Sequence, residues 1–257
     1  MRRSSILWGD PLMKRLREAF YIGVLDILPL LRDPMMMILL TVISFMPVLF
    51  IAVFSGSGGM ATQALVGAIV LSLFFGGIQV ASSTYFNKNW FRFQDIYVAS
   101  PVSPISYVMG LSLATLIGSL PGVIIALVVL LISMPIQPVS FLLMLIISFI
   151  LWVATLFLGF AIGSSVKDTR RANSIPQILG FFLGFIPPVY YPLERLPEFL
   201  QPVMLLLPTT HGAQLAKYYL GMIVIPEWQV VFGWAYLIIF MVMMAIFSVR
   251  WSRWVDP

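Results

Sequence analysis

The groups in this sequence most able to do chemistry are few and scattered. Its single histidine, His211, shares a proline-rich stretch with Glu194 and Glu198, but the three lack the spacing of a metal-ligand set. His211 therefore reads as a polar residue at a helix boundary rather than a catalytic base. Cysteine is absent, which excludes a disulfide framework and a thiolate metal site. No GxxxxGK[ST] occurs, so the chain has no phosphate-cradling loop with which to hydrolyse ATP by itself. The long apolar runs contain no Asp, Glu, Lys, Arg or His. Ion-coupled transporters usually bury such groups at mid-membrane, although backbone carbonyls also bind sodium. An intramembrane hydrolase would need a convergent acid, base or metal cluster, and none is evident.

Two stretches remain. The first runs from Thr84 to Gly110 and is rich in aromatics: Tyr85, Phe86, Trp90, Phe91, Phe93 and Tyr97. It carries Arg92 and Asp95 and stops at Ser100-Pro101-Val102-Ser103-Pro104. Such a segment predicts a short interfacial helix, which could offer a rigid apolar knob or simply anchor the loop as part of an aromatic belt. The second runs from Ile186 to Gly221. Its six prolines, Pro187, Pro188, Pro192, Pro197, Pro202 and Pro208, forbid one continuous helix. It nevertheless stays apolar, with Tyr190, Tyr191, Leu196 and Phe199 among its residues. Two short helices that dip into the membrane and return are expected, because broken backbone at that depth must be covered by protein or line a cavity. The stretch is expected to gate a path.

The elements that must position these stretches are membrane spans. Of 257 residues 60% are hydrophobic and only 10% charged, with a mean hydropathy of +1.00, where a soluble domain would carry roughly a quarter charged residues. One membrane domain is expected. Six apolar runs fall at about 35–54, 60–83, 105–133, 139–165, 174–188 and 228–249. The fifth is short and ends at Pro187-Pro188, which predicts a discontinuous helix. Thirteen of the 15 basic residues fall at the N-terminus, in alternate loops and after the last run; Arg195 and Lys217 are the exceptions. The positive-inside rule then places both termini in the cytoplasm and Ile186–Gly221 outside. The same pattern explains the basic excess better than nucleic-acid binding does.

Ahead of the first run, residues 12–31 are amphipathic. At helical spacing Leu12, Leu16, Phe20, Ile27 and Leu30 share one side, and Lys14, Arg15, Glu18 and Asp26 the other. A helix lying in the membrane surface against lipid headgroups is expected, a soluble-facing leader being the alternative. The first residues show charges without an adjoining apolar core, so no signal peptide is expected. Three GxxxG patterns, Gly118–Gly122, Gly159–Gly163 and Gly180–Gly184, together with Gly67, Gly76 and Gly77, let helices approach closely, within one chain or between two.

These residues resemble the permease subunit of ABC-2 type ABC transporters, a group that includes drug, polysaccharide and lipo-oligosaccharide exporters. Leu31-Arg32-Asp33-Pro34, the segment ending SPVSPISYVMG, and YPLERLPEFLQ…LLPTTHGAQLAKYYLG occur in the family's order. The resemblance implies an all-α polytopic protein, with residues 1–34 as cytoplasmic N-terminus and interfacial connecting helix and 35–257 as the transmembrane domain. It implies two permease chains, alike or different, each bound to a cytoplasmic ATPase subunit that carries ATP and Mg, with no cofactor in this chain. Trp90, Phe91, Arg92, Asp95, Ser100 and Pro101 would match the coupling helix, although the family often has a glutamate near Asp95. Short external re-entrant helices would close the path through Pro187, Pro188, Tyr190, Tyr191, Pro192, Leu196, Pro197, Pro208 and His211. Gly76, Gly77, Gly180 and Gly184, on the second and fifth spans, would lie at the interface and path.

The expected function is thus ATP-driven export of an amphipathic, drug-like or lipid- or glycan-linked substrate across a prokaryotic plasma membrane. A secondary transporter or channel, a lipid-modifying membrane enzyme, and an assembly component without transport of its own are the alternatives.

Overall fold

A computed structural model describes residues 11–35, 37–39, 42, 46, 48, 49, 53, 58–100 and 102–251. Among them the protein is all-helical, without a β-strand. Four helices are long and apolar enough to cross a membrane: α2 (Gly58–Asn89), α4 (Pro104–Ser133), α5 (Pro138–Ser165) and α9 (Glu227–Trp251). They are preceded or separated by α1 (Pro11–Leu31), α3 (Phe93–Ala99), α6 (Thr169–Gly180), α7 (Gln201–Met204) and α8 (Pro208–Tyr219). Most of the first expected span, 35–54, lies outside the described residues, as does Pro101.

Proline and serine mark the starts. Ser103 caps α4 by accepting from the Ser106 N–H at 3.1 Å, and Pro104 takes the first helical position, where no donor is required. Pro138 does the same for α5. The run expected as a fifth span, 174–188, is not among the four long apolar helices. It begins within α6, continues as a π-helical turn, Phe181–Phe185, and ends with the Ile186 N–H on Phe181 O at 3.4 Å. Inside α6, Pro176 cannot donate to the carbonyl of Ala172. The Ser82 hydroxyl of α2 donates to that oxygen instead, at 3.3 Å.

The core is built around α2. Its residues are apolar all round, which suits a helix enclosed on every side, and Leu71, Phe74 and Ile78 are fully buried. Contact with α5 is backbone to backbone. A methyl on Gly77 would stand 2.6 Å from Trp152 O, and one on Gly159 would stand 2.9 Å from both Gly77 O and Ile78 O. Thr155 Oγ1 adds a hydrogen bond to Phe74 O at 3.2 Å. Lipid is as apolar as leucine, so close packing of this kind and interhelical hydrogen bonds hold spans together.

The faces of α1 differ from the expected division. Ala19, Ile22, Gly23 and Ile27 are buried, whereas Leu12, Leu16 and Phe20 are exposed. The helix runs beside the first part of α4: a methyl on Gly23 would lie 2.9 Å from Gly110 O, and Gly118 faces Ile27 and Leu30. Two acids from the supposedly outward side turn inward because partners await them. Glu18 Oε2 accepts from Ser106 Oγ, and Asp26 Oδ1 accepts from Asn87 Nδ2, both at 2.8 Å.

Candidate functional site

At about 1.5 Å per residue, the 32 residues of α2 extend roughly 48 Å, well beyond a hydrocarbon core of about 30 Å. Part of it must therefore lie outside the core, and the aromatic segment follows its last turn. The N–H groups of Trp90 and Phe91 both reach Phe86 O at 3.0 Å. The chain then reverses at Arg92, whose φ of 52° is left-handed, a conformation that costs a non-glycine residue about 1 kcal/mol or more. Out of that turn comes α3, closed by Ser100, whose hydroxyl and N–H both donate to Tyr97 O at 2.9 and 3.2 Å.

The result is an apolar knob. Trp90 is 65% exposed, Phe91 58% and Ile96 62%, and the Phe91 and Phe93 rings stack at 5.5 Å. Tyr97 faces the other way, against Tyr107 of α4 at 5.5 Å. Asp95 belongs to α3, but its side chain lies outside the described residues. Beneath the knob, the Asp26–Asn87 bond joins α1 to the end of α2. Burial pushes the Asp26 carboxyl above its usual range, and hydrogen bonds from Asn87 and Ser83 draw it back. Periodicity could not reveal this junction, because it weighs Asp26 as a water-seeking group without seeing Asn87 arrive from another helix.

The proline-rich stretch forms one packed unit. Pro187, Pro188, Tyr190 and Pro208 are buried, Tyr191, Pro192 and Leu196 half-buried, and Pro197 exposed. The carbonyl of Val189 sits on Gly67 of α2, where a methyl would come within 2.6 Å of it. A short 3-10 turn, Leu193–Arg195, and α7 follow. Then α8 enters the interior: all residues from Pro208 to Lys217 are buried. Its polar groups are answered by carbonyl oxygens. Thr209 donates to Leu183 O, and Thr210 to Met204 O at 2.6 Å. His211 Nε2 pairs with Leu205 O at 2.7 Å, and its ring lies 4.5 Å from that of Tyr236. Burial lowers the histidine below its ordinary value, against the pull of the Leu205 carbonyl.

Lys217 is the least expected member. It is 1% exposed, and its Nζ donates to Tyr191 O at 3.1 Å, tying α8 to the proline loop. Its position in sequence marked it only as a basic residue outside the inner-face set. Burial drives its ammonium down to about 7, while Glu194 opposes the fall. Between that value and the ordinary 10.5, the folded protein with Lys217 buried binds fewer protons than a state in which Lys217 is hydrated. The folded state is therefore least stable with respect to this group below about 7 and gains stability as pH rises through this window. Thermal unfolding of the purified protein should show a melting temperature that climbs from about pH 7 to about pH 10. The slope should flatten in Lys217→Met.

The four glycines expected at an interface or path each meet neighbours in their own chain. Gly76 faces Ser119 and Thr115 of α4, Gly77 faces α5, and Gly180 and Gly184 receive the ring of Phe75. The exposed rings nearby are those of Phe181, Phe182 and Phe185. Among the described residues no group of three or more His, Cys, Asp or Glu side chains could hold a metal ion.

Four helices long and apolar enough to cross a membrane agree with what comparison with known families finds. The profile described as "ABC-2 family transporter protein" matches residues 31–250, thus including α2 through the penultimate residue of α9. No curated protein matches the sequence. The chain belongs to the ABC-2 family transporter proteins: it is a membrane-embedded transport component.

Proposed function

We propose that this chain is the permease subunit of an ATP-driven exporter. It pairs with a second permease chain, identical or sister, and with cytoplasmic ATPase subunits that bind ATP and Mg. The observation that carries this is the exposed knob, Trp90, Phe91, Phe93 and Ile96, held past the end of α2 by a defined turn. A rigid apolar patch of this kind fits a groove on another protein better than it fits water. In this scheme α3 is the coupling helix, α1 the connecting helix, and Ile186–Gly221 the external gate with its re-entrant segments.

The transmembrane domain is 35–257, with the spans at 35–54 and 174–188 completing six, and residues 1–34 face the cytoplasm. The protein sits in a prokaryotic plasma membrane with both termini in the cytoplasm. Nucleotide binding draws the ATPases together and supplies the differential affinity needed to shift the spans between states. A path without charged side chains suits amphipathic, drug-like or lipid- or glycan-linked cargo.

Because the chain has no cysteine, single cysteines report sidedness cleanly. A membrane-impermeant maleimide should label Trp90→Cys only in inside-out vesicles and Val224→Cys only in right-side-out ones. Transport should cease on ATP depletion. Transport that persists without ATP under an imposed ion gradient would instead identify a secondary transporter.

A further inference from the structure

We infer that the cavity where α5, α6 and α9 meet, at their basic ends, binds the headgroup of an anionic phospholipid. The cavity has a volume of about 500 Å³. Lys167 and Arg171 supply positive charge from the α5–α6 loop and the start of α6. Ile162, Ile175, Phe247 and Trp251 supply an apolar wall from three different helices.

The wall is fixed. The Phe247 and Trp251 rings stack at 5.1 Å, and the Ser165 hydroxyl donates to Trp251 O at 3.2 Å, holding the end of α9 to the end of α5. Both cations are exposed, and neither forms an ion pair with a described residue. The neighbouring carboxylate, Asp168, is engaged as the cap of α6, accepting from the Arg170 N–H at 3.1 Å. Arg170 adjoins Arg171 in sequence and Arg250 adjoins Trp251, so the surroundings favour an anion.

The combination selects a lipid over a free ion. A phosphate alone would use Lys167 and Arg171 but gain nothing from two stacked aromatic rings. A zwitterionic lipid would use the rings but bring no net charge to the cations. An anionic phospholipid uses both, placing its phosphate between the cations and its chain along the stripe Trp251, Phe247 and Met243, which recur every four residues on α9. Met243 is exposed, as that route requires. Basic pockets between spanning helices on the inner face are suited to such headgroups, each cation contributing about fivefold in affinity near a membrane surface.

The test titrates the full chain in detergent with dioctanoyl-phosphatidylglycerol, dioctanoyl-phosphatidylcholine or inorganic phosphate. The wild type should bind the glycerol lipid about tenfold more tightly than the choline lipid, two fivefold contributions being reduced by solvent exposure. The double variant Lys167→Gln, Arg171→Gln should erase that preference, while Lys167→Arg, Arg171→Lys should keep it. Phe247→Ala should weaken both lipids together. The proposal fails if the Gln double variant, still monodisperse, keeps the preference, or if the charge-preserving pair loses it. It also fails if inorganic phosphate displaces the glycerol lipid at matched concentration, which would make the site a phosphate site.

Discussion

Gly159→Val is expected to abolish most of the folded protein. A methyl at this position would stand 2.9 Å from Gly77 O and Ile78 O and 3.2 Å from Ala81 N. All three are backbone atoms of α2, so no rotamer change can relieve the clash. One helical turn later Gly163 repeats the arrangement, where a methyl would meet Thr84 Cβ at 2.8 Å and the carbonyl carbon of Ala81 at 3.0 Å. The branched side chain must therefore push α5 off the central helix, opening a seam that Thr155 would no longer bridge to Phe74 O. Overpacking of this kind costs about 3 kcal/mol, a large share of the stability of a typical domain. Size-exclusion profiles of detergent extracts should show the monodisperse peak collapse. The control is Gly59→Ala, where nothing lies within 4 Å of the added methyl and no loss is expected. Equal recovery of both variants would mean that α2 and α5 do not pack in this way.

The second large effect is expected at the knob. Replacing Trp90 and Phe91 together with alanine should leave the extracted protein as stable as the wild type, since both rings are mostly exposed. ATP-driven transport should nonetheless fall at least tenfold, because aromatic anchors of an interface are each worth about 2 kcal/mol or more. The neighbouring turn separates charge from geometry. Arg92→Gly removes the guanidinium and relieves the left-handed backbone, whereas Arg92→Ala removes it and keeps the strain. If the guanidinium docks on the ATPase, both variants should uncouple hydrolysis from transport. If the residue serves only to turn the chain, Arg92→Gly should transport normally. Undiminished transport in Trp90→Ala, Phe91→Ala would remove α3 from the coupling role.

The helical skeleton was legible in the sequence for a simple reason. An apolar run of about 20 residues has few alternatives to a helix in lipid, and Ser103-Pro104, Pro138 and Pro187-Pro188 marked the ends without help from distant residues. The observed α2, α4, α5 and α9 begin and end within six residues of the expected runs. The aromatic segment was less readable: its sequence left a protruding knob and an aromatic belt open, and the exposure of Trp90 and Phe91 came with the structure.

The tertiary structure decided where polar side chains go. Asp26, Glu18 and Lys217 look water-seeking by type, and helical periodicity assigned the two acids to an outward face. Each turns inward because a partner waits there: Asn87, Ser106 and the Tyr191 carbonyl come from segments 61, 88 and 26 residues away. The cost of burying a polar group vanishes only when such a partner arrives, and its arrival depends on helix packing. The same holds for α8, whose sequence is too polar to stand out as buried until the carbonyls of Leu183, Met204 and Leu205 are in place around it. Local pattern determined which segments are helices. Packing determined which side of each helix is the inside.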